Sequence, residues 1–148
     1  MASRTLTARL AIKRPAAEVF RFVADYRNVP RLLDGVKTWH PIGKQAEGVG
    51  ARYLVVLTAL GLSAEARIRI NEWTPASAIG WVSEASPVAN HGRWTFQSVH
   101  GGSEVALRLV YSPPAGGMGN FLAARVEGIA RGRILAALQR MKEELESD

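Results

Sequence analysis

Ser112-Pro113-Pro114-Ala115-Gly116-Gly117-Met118-Gly119 leads into a stretch where Leu122, Val126, Ala130, Ile134, Leu138, Met141 and Leu145 recur three or four residues apart. The first segment cannot continue a strand, because proline lacks a backbone donor and glycine lacks a stiffening side chain. The second has the helical period and keeps it for roughly seven turns. Asn120 stands where a cap is expected, so the spacing predicts one long amphipathic helix from there to the C-terminus. Such a helix needs a broad apolar surface to lie on.

The upstream residues read as a sheet able to supply that surface. Residues 5–13 alternate, with Leu6, Ala8, Leu10 and Ile12 on one face and Thr5, Thr7, Arg9 and Lys13 on the other. Arg14-Pro15 opens a helix buried through Val19, Phe20, Phe22 and Val23, and Asp25-Tyr26 breaks it. Asn28 can cap a second short helix carrying Val29, Leu32 and Leu33, which Asp34-Gly35 ends. Strands are then predicted at Val36–Ile42, Ala51–Leu60, Ser63–Trp73, Ala78–Ala85, Ala89–Val99 and Glu104–Tyr111, with Gly101-Gly102 as a hairpin turn. Short connections and alternation imply an antiparallel sheet with one wet face. Helices segregated on one face of it make an α+β layer architecture with room for an apolar pocket.

At 148 residues the chain fits one domain spanning 1–148, and 47% hydrophobic residues argue against disorder. No apolar run approaches the length of a membrane span, and the N-terminus has no h-region of a signal peptide. Without cysteine there are no disulfides and no thiolate chemistry, and a cytoplasmic protein is the default expectation. The formal charge of +6 invites a nucleic-acid or anionic-membrane partner. Arginine and lysine are scattered rather than blocked, however, which reads as a solubilising surface: nucleic acid is disfavoured and peripheral membrane contact stays open.

Ile12-Lys13-Arg14-Pro15-Ala16-Ala17-Glu18-Val19-Phe20-Arg21-Phe22-Val23-Ala24-Asp25-Tyr26, Gly48-Val49-Gly50-Ala51 and the final Leu138-Gln139-Arg140-Met141-Lys142-Glu143-Glu144-Leu145-Glu146 carry a family likeness. They resemble, in turn, the strand-to-helix entry, the turn into the central strands and the amphipathic helix end of the START-like superfamily. That is the polyketide cyclase/dehydrase and lipid-transport superfamily, also called SRPBCC or Bet v 1-like. The resemblance implies a helix-grip fold: a curved seven-stranded antiparallel sheet wrapped around a long C-terminal helix, with two short helices between strands 1 and 2. It also implies a deep cavity for lipids, polyketides, quinones or similar molecules. Its motifs form the fold and carry no catalytic signature.

The candidate ligand-binding residues follow from alternation and the helical wheel. Tyr53, Trp81, Trp94, Phe96 and Tyr111 sit on strand positions suited to the inner face, either lining a cavity or filling the core. His40 shares parity with Val36, Thr38 and Ile42, so it is expected inward, as an acid–base group or a hydrogen-bonded strand residue. His91 is expected outward and His100 at a turn. Leu122, Val126 and Ile129 would face the sheet from the helix. Arg133 lies close to that side and would either meet a ligand anion or snorkel to solvent. Gly128 and Gly132 would permit close approach or a bend, and Pro113–Gly119 would be a lid hinge or a plain connector.

No metal spacing, nucleophile elbow or phosphate loop is present, so neither a metal nor a cofactor is expected. Three functions compete. They are binding of a hydrophobic small molecule, polyketide cyclase, aromatase or dehydratase catalysis using His40, Tyr53, Tyr111 and Arg133, and basic-surface contact with ribosome, RNA or anionic membrane. Binding ranks first because no catalytic constellation is complete. Oligomeric state is not legible.

Overall fold

The computed structural model describes residues 3–112 and 117–147, with the side chains of the final helix described from Ala124 onward. The chain runs β1 (Arg4–Ile12), α1 (Ala16–Ala24), α2 (Asn28–Leu32), β2 (Val36–Ile42), β3 (Arg52–Ala59), β4 (Leu62–Thr74), β5 (Ala78–Ala85), β6 (Asn90–Val99), β7 (Gly102–Tyr111) and α3 (Gly117–Glu146). The seven strands form one antiparallel sheet in the order β1-β7-β6-β5-β4-β3-β2. Insertion of α1 and α2 after β1 sends β1 to one edge, beside β7, and β2 to the other. The result is the helix-grip α+β fold expected from the sequence.

The alternation of β1 survives intact, with Leu6, Ala8 and Ile12 buried on the inner face. Two other strands break phase. A bulge between Val36 and Thr38 shifts β2, so Val36 and Trp39 both face inward, opposite Leu57 and Val55. A second irregularity, between Ile70 and Glu72 of β4, brings Trp73 opposite the buried Ile79. Trp73 then meets Phe20 of α1 edge-on, with ring centroids 5.4 Å apart.

The close-packed core fills one end of the grip. Val19 and Phe20 of α1, Tyr53 and Val55 of β3, Ile68 and Ile70 of β4, Phe96, Val105, and Leu138 and Met141 of α3 form one buried cluster. Each large side chain taken fully out of water there contributes about 1.5–3 kcal/mol.

The C-terminal half of α3 is strapped to both flanks of this core. On the β1 side the Arg14 guanidinium donates to the Leu145 carbonyl at 2.6 Å, satisfying a last-turn acceptor. There too Lys142 donates to the Ala11 carbonyl at 3.0 Å, and the Lys13 N–H donates to Glu146 at 2.9 Å. On the α2 side Arg31 pairs with Glu144 at 2.7 Å, while Arg140 reaches the Leu32 carbonyl at 2.7 Å and Asp34 at 3.0 Å.

Three local expectations are corrected. Pro15 is the N-cap of α1 rather than its first residue, and its carbonyl accepts from the Glu18 N–H at 3.0 Å. Asn28 is the first residue of α2, and its side-chain amide donates to the Phe22 carbonyl at 2.7 Å, tying α2 to the end of α1. α3 begins at Gly117, ahead of the expected Asn120 cap, because propagating a long helix backward through glycine costs only about 1 kcal/mol per residue. The expected hinge falls largely on residues 113–116, which lie outside the described residues.

Candidate functional site beneath the N-terminal half of the long helix

Along the inner face of β6 the side chains change from packed to open. Phe96 is 5% exposed and meets Phe20 edge-on at 5.4 Å. Trp94, two residues back, stacks on Phe96 at 6.5 Å with 14° between planes and is only partly buried. Next comes Gly92, where a Cβ would stand 2.2 Å from Cη2 of Trp81. The absent side chain lets the Trp81 ring lie flat against the backbone of β6. Beyond it the Trp81 indole N–H donates to Oδ1 of Asn90 at 3.0 Å. The inner face therefore carries a continuous aromatic lane from the core to the end of the sheet.

That lane ends in polar groups. Tyr111, last in β7, lies opposite both Arg4 of β1 and Asn90 of β6. Its hydroxyl is shielded from water and makes no hydrogen bond of ordinary geometry among the described residues, although the Glu127 carboxylate and the Arg4 guanidinium stand near enough to act on it. Burial pushes its pKa up, reinforced by the Glu127 carboxylate of α3 and opposed by Arg4. Arg4 and Glu127 themselves form an ion pair at 2.9 Å, with 38% and 21% of their side chains exposed. This pair joins the N-terminal half of α3 to the first strand.

The remaining expected site residues are distributed elsewhere. His40 is exposed on the outer face, opposite Leu54, because the bulge in β2 reverses its parity and puts Trp39 inward. Tyr53 is 3% exposed, between Tyr26 at 5.9 Å and Trp39 at 6.1 Å. Its hydroxyl donates to the Ala46 carbonyl, and burial above all pushes its pKa to about 12. That phenol anchors the loop between β2 and β3.

Arg133 is held by backbone instead of snorkelling to solvent. Its guanidinium donates to the Thr58 carbonyl at 2.5 Å and occupies the space a Cβ would need at Gly35, whose left-handed φ of +82° independently favours glycine. Val126 is 42% exposed and Ile129 is half-buried, while the Leu122 side chain lies outside the described residues. A Cβ on Gly128 or Gly132 would meet no described atom within 4 Å, so neither glycine serves a close approach.

His40, Tyr53, Tyr111 and Arg133 consequently do not converge. Tyr53 and the Thr58 carbonyl that holds Arg133 are five residues apart on β3, about 17 Å along the strand. Tyr111 is four strands away, about 19 Å across the sheet.

Arg4, Asn90 and Glu127 were not singled out from the sequence. Arg4 was within reach of it, since it continues the inward parity of Leu6, Ala8 and Ile12. Glu127 was not, because only the path of α3 over β1 brings it to Arg4.

His91 faces outward as expected, in an open depression of about 490 Å³ on the outer face with Arg9, Arg93 and Arg108. Glu72 there binds Arg93 through two hydrogen bonds of 2.7 and 3.0 Å. A second depression of about 520 Å³ lies between the end of α1 and the β2–β3 loop, over Tyr26, Glu47 and Trp73. Among the described residues no group of three acidic, His or Cys side chains could hold a metal ion, and no helix is long and apolar enough to cross a membrane.

Solved structures similar to this one cover nearly the whole chain. A protein from Thermus thermophilus superposes with a TM-score of 0.83 at 20% identity, covering 97% of this chain and 100% of its own. The Zhui aromatase/cyclase from Streptomyces sp. R1128 gives 0.79 at 15% identity, over 99% and 98%. A START superfamily protein from Mycobacterium smegmatis gives 0.75 at 11% identity, over 95% and 98%. At these identities the likeness is one of fold. No curated protein matches the chain by sequence. The model of the polyketide cyclase / dehydrase and lipid transport family, however, matches residues 3–146, and the chain belongs to that family.

Proposed function

We propose that the protein binds a hydrophobic or amphipathic small molecule between the inner face of the sheet and the N-terminal half of α3. The carrying observation is the aromatic lane of Trp94 and Trp81, half-buried and ending at the shielded Tyr111 hydroxyl. An apolar wall with a few fixed polar groups at one end is the usual composition of a small-molecule site. The family description, which joins polyketide cyclases and dehydrases to lipid transport, and the aromatase/cyclase among the similar structures support a ligand of that character. Catalysis by His40, Tyr53, Tyr111 and Arg133 draws no support from their positions, so binding is the reading we adopt. A polyanion partner is equally disfavoured, because Arg52, Arg69 and Arg93 on the outer face are paired with Glu84 or Glu72.

The test is native mass spectrometry on protein purified without detergent, with organic extraction of the bound fraction. A co-purifying apolar molecule is expected, and its rebinding should alter indole emission less in Trp94→Phe than in the parent. Protein that carries nothing, and whose emission ignores added C12 ketone, alcohol and acid alike, would overturn the proposal.

A further inference from the structure

The outer face of the sheet carries a charge pattern for which the groove has no use. Across it, Thr7 of β1 lies opposite Arg108 of β7, Arg108 opposite Arg93 of β6, Arg93 opposite Gly80 of β5, and Gly80 opposite Glu72 of β4. Glu72 reaches over the bare Gly80 backbone to accept two hydrogen bonds from Arg93, and a Cβ there would stand 3.0 Å from the Glu72 Cβ. The Arg93 head is thereby drawn over β5, away from β7. Arg108 has no such acid: among the described residues it makes no hydrogen bond or ion pair. Like charges directly opposite on neighbouring strands destabilise a sheet, so Arg93 and Arg108 stand in a position that an anion between them would relieve.

There is room for one. Ala106, Thr95 and Gly80 keep the surface low between the long side chains, and the resulting hollow has a volume of about 490 Å³. Arg9 lines it from β1, and its tie to Glu104 is loose, at 3.5 Å with 74% of the arginine side chain exposed. Three guanidinium groups thus face the hollow against one carboxylate, that of Glu72. Beside it Glu84 already engages both Arg52 and Arg69, at 2.8 and 3.3 Å. The positive surplus is therefore compact, which suits one anionic group rather than a chain of them. Guanidinium groups hold phosphate oxygens through paired, charge-assisted N–H bonds. A phosphomonoester, with a charge of about −1.5 to −2 near pH 7, matches the surplus, whereas a carboxylate leaves half of it unanswered.

We propose that this hollow is a second binding site, for a phosphomonoester group held between Arg108 and Arg93 with Arg9 closing it from β1. The site lies on the opposite face of the sheet from the groove, so either can fail without the other.

Calorimetry with glycerol 3-phosphate at constant ionic strength is expected to show saturable binding with a Kd of about 1 mM or tighter. Arg108→Gln should weaken it at least about tenfold, the loss of one charge-assisted contact. Arg67→Gln removes the same charge from the outer face three strands away, beyond a Debye length, and should leave the affinity within about twofold. Ala106→Glu puts a carboxylate into the hollow and should abolish binding. Glycerol 3-phosphate should also raise the Tm of the parent and not that of Arg108→Gln, and the melts report whether each variant is folded.

Phosphatidylcholine vesicles with and without phosphatidate form a second arm. Binding of glycerol 3-phosphate assigns the site to a soluble phosphomonoester. Retention on phosphatidate vesicles alone, lost in Arg108→Gln, assigns the same contact to a lipid head group. Equal weakening by Arg108→Gln and Arg67→Gln would reduce the effect to net charge and overturn the site, as would the absence of binding in both arms. Succinate binding as tightly as glycerol 3-phosphate would overturn the choice of phosphate.

Discussion

Between Arg133 and Glu146, α3 buries Leu138 and Met141 to 3% exposure and is strapped to β1 on one flank and α2 on the other. Between Ala124 and Gly132 the same helix leaves Val126 42% exposed and meets the first strand through the Arg4–Glu127 pair. One half is part of the core, and the other carries the helix's share of the proposed binding site. The difference teaches that helical periodicity alone does not say what an apolar stripe packs against: Leu138 joins the buried cluster that includes α1 and sheet residues, whereas Val126, on the same stripe, stays exposed.

The largest expected effect breaks the packed half. Leu138→Ala should cost about 3 kcal/mol in urea or thermal unfolding, because the site is fully enclosed and cannot collapse around the missing atoms. Val126→Ala should change stability by less than about 0.5 kcal/mol, and a comparable loss at both positions would erase the contrast. At the boundary, Gly92→Ala forces Trp81 off the sheet and should cost about 1–3 kcal/mol while disturbing indole emission. Unaltered emission in that variant would mean the ring does not rest where the geometry puts it. Gly128→Ala and Gly132→Ala act the other way, each stabilising by about 0.5–1 kcal/mol, since the added methyl meets no described neighbour and improves helix propensity.

The smallest effect is acid titration of the straps. Hydrogen bonds from Arg140, Arg31 and Lys142 hold Asp34, Glu144 and Glu146 below their ordinary values of 3.8, 4.5 and 4.5. Their folded values lie below their unfolded ones. The stabilisation is therefore complete above about pH 5 and is lost as pH falls through the folded values. Hydrogen exchange should show the C-terminal half of α3 losing protection in that range, with Arg140→Gln flattening the response. Exposed pairs of this kind contribute little individually, and an undetectable change would assign the packed half wholly to its apolar contacts.

Much of the fold was legible because β1 and β7 keep their alternation and α3 keeps its period. The phase of β2 was not. Counting by two from Val36 predicts His40 inward, and the bulge after Val36 puts Trp39 there instead. No local residue choice announces that bulge, which is visible only in the pairing with β3. Trp73 arrives inward by the same means on β4. At the site, Trp81, Trp94 and Tyr111 could be read from parity, whereas the Arg4–Glu127 pair depends on a contact between residues 123 positions apart. Arg133 was misjudged for a related reason: its partner is a strand carbonyl, and carbonyls have no signature in sequence.

The arrangement of α3 also has a mechanical reading. At 1.5 Å per residue, the stretch from the Leu138 anchor back to Gly117 is an arm of about 31 Å, fixed at its packed end. Tilting such an arm by about 5° raises its far end by about 3 Å, close to the thickness of an aromatic ring. Leu138 and Met141 thus act as a fulcrum, and along the arm the Arg133–Thr58 and Glu127–Arg4 contacts are two described ties that resist such a tilt, so loosening them would let a small repacking at Leu138 change how far the helix stands off the sheet.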